Sequence, residues 1–223
     1  MEDYLPCGYR LFQDNRFFKL GQDSVRLAAF AAPPKGAAVC DLGCGTGVLS
    51  LLLLGKDPGC HVTGVELQTE VLELAEQNRT VNGLSHRFRL VLGDVRNIRE
   101  LLPGNSFDYV IANPPYFAEG SGHSAQNPHK KIARQENCLT LPELAAAAAY
   151  LLRFGGKFAM VYRPERLCDV TAALREQRLE PKRLQFLHGS PNKEPSAVLV
   201  ESRYGSAPGC RVLPPLFTDG RNG

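Results

Sequence analysis

The sequence reads Asp41-Leu42-Gly43-Cys44-Gly45-Thr46-Gly47 directly after a short apolar run. The apolar run predicts a strand over Ala37–Leu42, and the residues after the loop predict a helix over Val48–Leu54. Glycine has no Cβ, so the backbone of such a loop can turn sharply and approach a ligand closely. A strand, a glycine loop and a helix in this order therefore predict a site for a nucleotide-like ligand.

Short apolar strands alternate with helical stretches through most of the remaining chain, which is typical of a parallel sheet covered on both faces. After Ala37–Leu42, the pattern predicts strands at Cys60–Glu66, Phe88–Leu92, Phe107–Ala112 and Gly156–Tyr162, with helices at Thr69–Asn82, Thr140–Phe154 and Pro164–Gln177. Two later β-rich runs, Pro181–Leu187 and Ala197–Tyr204, are joined by a turn-forming segment and predict an antiparallel pair at the sheet edge. The expected fold class is α/β, a doubly wound and mostly parallel seven-stranded sheet whose last strand is antiparallel.

The chain divides by pattern into three parts. Residues 1–35 are expected to form a short N-terminal cap that includes a helix at Gln22–Ala32, residues 36–205 the α/β domain, and residues 206–223 a flexible tail. Within the domain, residues 117–139 are polar and irregular, and insertions of this kind are usually functional or disordered.

Composition is close to that of ordinary globular domains, with 43% hydrophobic and 22% charged residues among 223. No apolar run approaches the length of a membrane span, and the N-terminus lacks a secretory pattern, so we expect a cytoplasmic protein without a membrane partner. The seven cysteines form no paired Cys-x-x-Cys motif, so free thiols are expected and no metal site, even at Cys40 and Cys44. The net charge of +3 permits a nucleic-acid partner without requiring one.

Carboxylates follow the next two predicted strands. Glu66 ends the second strand, where it can accept hydrogen bonds from ribose hydroxyls, and Asp94 follows the third, where it can accept one from an adenine amino group. Ligands of open α/β sheets bind beyond the carboxyl ends of the strands, so both acids and the glycine loop are expected in one crevice. Since Val48 stands where a dinucleotide loop has its third glycine, NAD is disfavoured.

This combination resembles the class I S-adenosylmethionine-dependent methyltransferases, with a Rossmann-like fold, over about residues 36–165. The resemblance implies S-adenosylmethionine as the cofactor, with Asp41 and the loop backbone near its methionine part. The implied cofactor-binding residues in the domain are Asp41, Gly43, Gly45, Gly47, Glu66, Leu67, Asp94, Val95 and Asn113.

The sequence Asn113-Pro114-Pro115-Tyr116 follows the fourth predicted strand. Prolines fix φ and donate no hydrogen bond, so this corner is rigid and presents acceptors. An exocyclic amine is a poor nucleophile, and hydrogen bonds from its hydrogens to the Asn113 side-chain oxygen and the Pro114 carbonyl would orient it. Tyr116 could stack on a planar base. We therefore expect Asn113, Pro114 and Tyr116 to form the catalytic site.

The Asn-Pro-Pro-Tyr motif is similar to that of amino-methyltransferases that act on adenine N6, guanine N2 or the glutamine side-chain amide, and it does not separate these substrates. Residues 18–30, 132–136 and 195–201 resemble the bacterial valine-tRNA adenosine-37 N6-methyltransferases, a likeness that runs over nearly the whole chain. This resemblance implies an RNA substrate, the anticodon loop of a tRNA, and it places Gln13, Phe18 and Asp23 near the cofactor.

Other functions remain open alternatives at this point. A glutamine N5 protein methyltransferase, an rRNA guanine N2 methyltransferase and a DNA adenine N6 methyltransferase share the motif. We expect the first less because residues 1–35 are too few for its N-terminal helical domain, and the DNA enzyme less because the pattern indicates no target-recognition domain. An oxidoreductase is disfavoured by the glycine spacing and an inactive paralogue by the intact motif. The pattern does not determine the oligomeric state, and we expect a monomer.

Overall fold

Nine strands form the central sheet of the computed structural model, which describes residues 2–14, 21–114 and 139–218. A separate hairpin of β1 (Glu2–Tyr4) and β2 (Arg10–Phe12) precedes it. The sheet strands are β3 (Ala38–Leu42), β4 (His61–Glu66), β5 (Phe88–Leu92), β6 (Phe107–Ala112), β7 (Leu152–Tyr162), β8 (Leu179–His188), β9 (Pro195–Tyr204), β10 (Arg211–Val212) and β11 (Leu216–Phe217). The helices are α1 (Gln22–Phe30), α2 (Val48–Lys56), α3 (Thr69–Val81), α4 (Ile98–Leu101), α5 (Leu141–Leu151) and α6 (Leu167–Glu176).

Seven longer strands lie in the order β5-β4-β3-β6-β7-β9-β8. Strands β3 to β7 are parallel to one another, whereas β9 is antiparallel to both β7 and β8. The chain reverses its direction of winding between β5 and β6, as in a doubly wound sheet, and ligands of such sheets bind where the order reverses. The predicted fold class, including the antiparallel last strand of the seven, is confirmed. The pair β8 and β9 differs from a simple edge hairpin, because β9 lies inside the sheet, between β7 and β8.

Strand β6 is buried on both of its faces. Tyr109 and Ile111 pack into the core beneath α1 and α2, while Val110 and Ala112 pack into the core beneath α5 and α6. Successive side chains of a strand point to opposite faces, so a strand covered on both sides is a continuous apolar run. This burial holds the end of β6, and with it the start of the Asn-Pro-Pro-Tyr motif, in a fixed position.

Helix α5 ends earlier than the sequence pattern predicts. It begins at Leu141 with a capping box, in which Thr140 and Glu143 bond each other's backbone N–H groups. It stops at Leu151 rather than at the predicted Phe154. Its last carbonyls accept hydrogen bonds from the backbone N–H groups of Asn105 and Ser106, at 2.9 Å each, just before β6 begins. Residues 152–154 therefore belong to β7, because the entrance to β6 satisfies the helix end.

The segment after Tyr204 also differs from the flexible tail that composition predicts, as far as residue 218. Strands β10 and β11 each pair in parallel with β8 and extend the sheet edge. The last five residues, 219–223, lie outside the described part. Among the described residues, none of the helices has the length and apolar character needed to cross a membrane.

Candidate active site

The glycine loop lies beyond the carboxyl end of β3. Gly43, Gly45 and Gly47 have φ values of +72°, +56° and +84°, a region that residues with a Cβ rarely adopt. A Cβ built on Gly43 or Gly45 would meet no atom within 4 Å, whereas one on Gly47 would lie 3.0 Å from the Phe88 ring. Gly47 is therefore required for packing as well as conformation, while Gly43 and Gly45 line open space that a ligand can enter.

Glu66 connects this loop to the end of β4. Its Oε2 accepts a hydrogen bond from the Gly45 backbone N–H at 3.0 Å, and its Oε1 accepts one from the Gln68 N–H, also at 3.0 Å. The side chain is nearly buried, with 7% of its surface exposed. An ionised carboxylate can accept about four hydrogen bonds, so Glu66 can support the loop and still accept from two hydroxyls of a ligand.

Asp41 is the most deeply buried acid of the site, with 1% of its surface exposed. Burial raises its pKa to about 7, the nearby Glu66 charge adds to the rise, and a hydrogen bond from Ser50 Oγ at 2.7 Å opposes it. Near neutral pH this carboxyl is thus divided between its neutral and charged forms. A cationic ligand group would favour the charged form, so Asp41 is suited to bind one.

Asp94 follows β5, which comes after β3 and β4 in the chain, as expected from the sequence. Its carboxylate is already engaged, since it caps the short 3-10 turn Val95–Asn97 and pairs with the Arg96 guanidinium at 2.5 Å. The side-chain hydrogen bond from Arg96 lowers the pKa of Asp94. An amino group of a ligand would therefore share this carboxylate with Arg96. Leu67, 43% exposed beside Glu66, and the buried Val95 supply apolar surface at the same strand ends.

Asn113 begins the motif at the end of β6, next to β3 in the sheet. Asp41 is the register partner of Ile111, so Asn113 lies two residues beyond the level of Asp41. Its Nδ2 donates a hydrogen bond to Ser24 Oγ of α1 at 2.9 Å, and Pro114 beside it is buried. Phe18, Tyr116 and the segment from Pro115 to Cys138 lie outside the described residues.

The N-terminal hairpin is joined to the glycine loop through α3. Buried Asn78 accepts from the Phe12 N–H at 2.6 Å and donates to the Phe12 carbonyl at 3.1 Å and to the Thr46 carbonyl at 2.9 Å. Asn78 thus bonds to both backbone groups of Phe12, as a neighbouring strand would, and holds β2 beside the glycine loop. Gln13 follows β2 and is buried, and half-buried Asp23 lies in the first turn of α1, where burial raises its pKa. Gln13 thus lies directly after a strand that Asn78 joins to the glycine loop, and Asp23 lies beside Ser24, which contacts Asn113.

Sequence patterns did not indicate three side chains of this site: Ser24, Ser50 and Asn78. Ser24 and Asn78 contact residues more than 30 positions away in the chain, and Ser50 contacts Asp41 nine positions before it. No local motif signals any of these contacts. Cys40 and Cys44 are free and buried, and burial raises the pKa of both thiols well above the usual range. They are therefore protonated, and within the described ranges no group of three or more metal-binding side chains occurs.

Comparisons with known proteins agree with this geometry. A family model described as a methyltransferase domain matches residues 33–194. The tRNA1(Val) (adenine(37)-N6)-methyltransferase of Porphyromonas gingivalis is 30% identical over 191 residues, which cover 83% of this chain and 74% of the relative. The chain belongs to the methyltransferase domain family, and within it to the family of that relative.

A second member of this family, the enzyme of the same name from Shewanella sp. strain MR-4, is 30% identical over 199 residues, covering 89% of this chain and 79% of its own. The solved structure of a predicted O-methyltransferase from Agrobacterium tumefaciens superimposes with a TM-score of 0.73 at 22% identity, covering 90% of each chain. This structural likeness shows the methyltransferase fold. The glycine loop and the strand-end acids described above lie within the residues that the family model matches.

Proposed function

We propose that this methyltransferase uses S-adenosylmethionine to methylate N6 of an adenine in RNA, and that the RNA is a tRNA modified in its anticodon loop. The observation that carries the proposal is the position of Asn113, beside the strand whose end holds Asp41 and the open glycine loop. A hydrogen-bonding amide at the mouth of a nucleoside-type cleft suits an amine substrate. The relatives' names supply the identity of that amine and of the RNA.

The residues present fit S-adenosylmethionine. Open space at Gly43 and Gly45 admits the cofactor against the loop backbone, and buried Asp41, with its raised pKa, gains a partner in the cofactor's ammonium group. Glu66 has remaining acceptor capacity for the ribose hydroxyls, and exposed Leu67 offers apolar surface to the adenine. When bound, the cofactor supplies an electrophilic methyl group on a positively charged sulfur.

The chain's own contribution to the reaction is to position the amine. The Asn113 amide oxygen and the Pro114 carbonyl would accept hydrogen bonds from the two amine hydrogens, which turns the nitrogen lone pair toward the methyl donor. Acceptors that are fixed before the reaction also stabilise the positive charge that develops on nitrogen during transfer. Burial of β6 on both faces holds these acceptors in place.

The RNA partner would contact the chain through one aromatic side chain and through basic side chains. Tyr116 would stack on the target base, which a loop of RNA presents at lower cost than a helix does. The chain would act as a monomer in the cytoplasm, and phosphate contacts would come from its basic side chains, in keeping with the net charge of +3.

The test is methyl transfer from radiolabelled S-adenosylmethionine to total tRNA of a strain that lacks the gene, followed by mass spectrometry of the nucleosides. We expect labelled N6-methyladenosine, with Asn113→Ala reducing the rate on the order of a hundredfold. Asn192→Ala, in the exposed turn between β8 and β9, is the matched control and should keep the wild-type rate. Labelling of ribosomal RNA guanine, DNA or a protein glutamine instead would refute the substrate, and full activity of Asn113→Ala would refute the site.

A further inference from the structure

Helix α1 reaches the motif through one side chain. Ser24 Oγ lies 2.9 Å from Asn113 Nδ2, although the two residues are 89 positions apart in the chain. Both side chains are only partly buried, so the contact lies near the surface rather than in the core. We propose that Ser24 is a positioning residue for the reaction, which holds the Asn113 amide so that its oxygen is presented to the substrate amine.

The chemistry of an amide explains why a second residue is needed. An asparagine side chain has a donor branch and an acceptor branch that differ only by a half-turn about χ2, and that torsion is soft. An amine with two hydrogens requires the acceptor branch. Because Nδ2 donates to Ser24 Oγ, the oxygen is directed to the other side of the side chain. Loss of the hydroxyl removes this constraint on the amide orientation.

Ser24 can perform this task only if α1 itself is fixed, and the opposite end of the helix shows how. No basic residue occupies the helix's own last turn. Instead, Lys56 of α2 donates to the carbonyls of Ala28, Ala29 and Ala31 at 3.3, 3.3 and 2.8 Å. Cations at a helix C-terminus are favourable because the last carbonyls lack intrahelical donors and carry partial negative charge.

Further groups from the sheet complete this attachment. Arg183 of β8 donates to the Phe30 carbonyl at 2.9 Å, and the Tyr109 hydroxyl accepts from the Ala32 N–H at 3.2 Å. Glu201 of β9 joins the two, since it accepts from Arg183 at 2.8 Å and from Tyr109 at 2.7 Å in a fully packed environment. The attachment lies about six residues, or roughly 9 Å along the helix, from Ser24. Because its C-terminal end is fixed to the sheet, α1 holds the Ser24 hydroxyl in a fixed position.

The inference rests on the proposed role of Asn113, and the first measurement separates the two. Ser24→Ala should lower kcat about tenfold, the effect of losing one hydrogen bond in the transition state, with little change in the KM for RNA. Calorimetric titration with S-adenosylmethionine should give an unchanged Kd, because the Ser24 hydroxyl contacts Asn113, whereas the proposed cofactor contacts come from Asp41, Glu66 and the glycine loop. Ser106→Ala is the control: its hydroxyl donates to the Pro103 carbonyl before β6 begins, and its kcat should remain that of the wild type.

A matched pair keeps the test valid if Ser24→Ala disturbs the fold. Ser24→Thr and Ser24→Val have nearly the same shape and the same branched Cβ, and only threonine retains the hydroxyl. Threonine should preserve kcat and valine should show the tenfold loss, at similar Tm. Equal kcat values for this pair would overturn the inference, because a purely structural serine is insensitive to the hydroxyl.

A double variant then identifies the residue through which Ser24 acts. In the Asn113→Ala background, adding Ser24→Ala should cause no further loss of the single-turnover rate. Additive losses would show that Ser24 acts independently of Asn113 and would overturn the inference. If Asn113→Ala is inactive while Ser24→Ala keeps full kcat, the positioning role fails and the proposed function stands. Full activity of Asn113→Ala would instead refute the proposed catalytic role itself.

Discussion

Replacing Asp41 by asparagine should change how the stability of the ligand-free protein depends on pH. In the folded protein, burial raises the pKa of Asp41 from 3.8 to about 7, and in the unfolded chain the carboxyl returns to its ordinary value. The folded state therefore binds the proton more tightly. The stabilisation from this group is complete below pH 3.8 and is lost as pH rises through about 7.

The size of the effect follows from the two pKa values. Between pH 5 and pH 8 the linkage relation gives a loss of about 2.5 kcal/mol in the free energy of unfolding from this one group. Asparagine resembles the protonated acid, because its oxygen can still accept from Ser50 Oγ and it carries no charge at any pH. Any cost of fitting its amide is a constant offset, so only the slope with pH distinguishes the two proteins.

The assay is urea unfolding of both proteins without ligand at pH 5, 6, 7 and 8, with linear extrapolation to water. The stability of the wild type relative to Asp41→Asn should fall by about 2.5 kcal/mol across this range, because all other titrating groups cancel in the difference. Asp94, whose pKa is lowered, titrates below the range in either protein. Parallel stability curves for the two proteins would refute the assignment of a shifted pKa to Asp41.

Three further substitutions test the loop and the attachment of α1. Gly45→Ala should lower the free energy of unfolding by about 1 kcal/mol in urea, because residue 45 has a positive φ. Calorimetry should also show that this variant no longer binds S-adenosylmethionine, since the new Cβ enters the space that the ligand would occupy. Glu66→Ala leaves the Gly45 and Gln68 N–H groups without their acceptor, so the free energy of unfolding should fall by about 1–3 kcal/mol. We also expect weaker cofactor binding, and wild-type affinity would contradict the role of Glu66. Tyr109→Phe removes the hydroxyl between Glu201 and Ala32, so the free energy of unfolding should fall by about 1–3 kcal/mol in the same assay. An unchanged stability would show that the attachment of α1 does not depend on this hydroxyl.

Local sequence patterns predicted most of the strands and helices. The bounds of Phe88–Leu92 and Phe107–Ala112 match the prediction, and the other strands and helices differ by a few residues at their ends. These elements could be predicted because an apolar run between turn residues has a strong local preference. The glycine loop, Glu66, Asp94 and Asn113 could be placed at one edge of the sheet for a similar reason, since parallel strands bring their carboxyl ends together.

Two features of the fold depended on contacts that a local pattern does not contain. Helix α5 ends at Leu151 because the residues before β6 bond to its last carbonyls, although residues 152–154 extend its apolar pattern. Strand β9 lies between β7 and β8, and successive residues along it are buried, so both of its faces are covered. Composition shows that such a strand is apolar, but not which neighbours it pairs with.

By itself, the sequence determined the fold class, the cofactor loop and the order of the site residues along the chain. The contact between Ser24 and Asn113, and the burial that brings the pKa of Asp41 near neutrality, come from the folded chain. The physical reason is distance along the chain. Propensity and periodicity act over a few residues, whereas burial and hydrogen bonding depend on which distant segments the folded chain brings together.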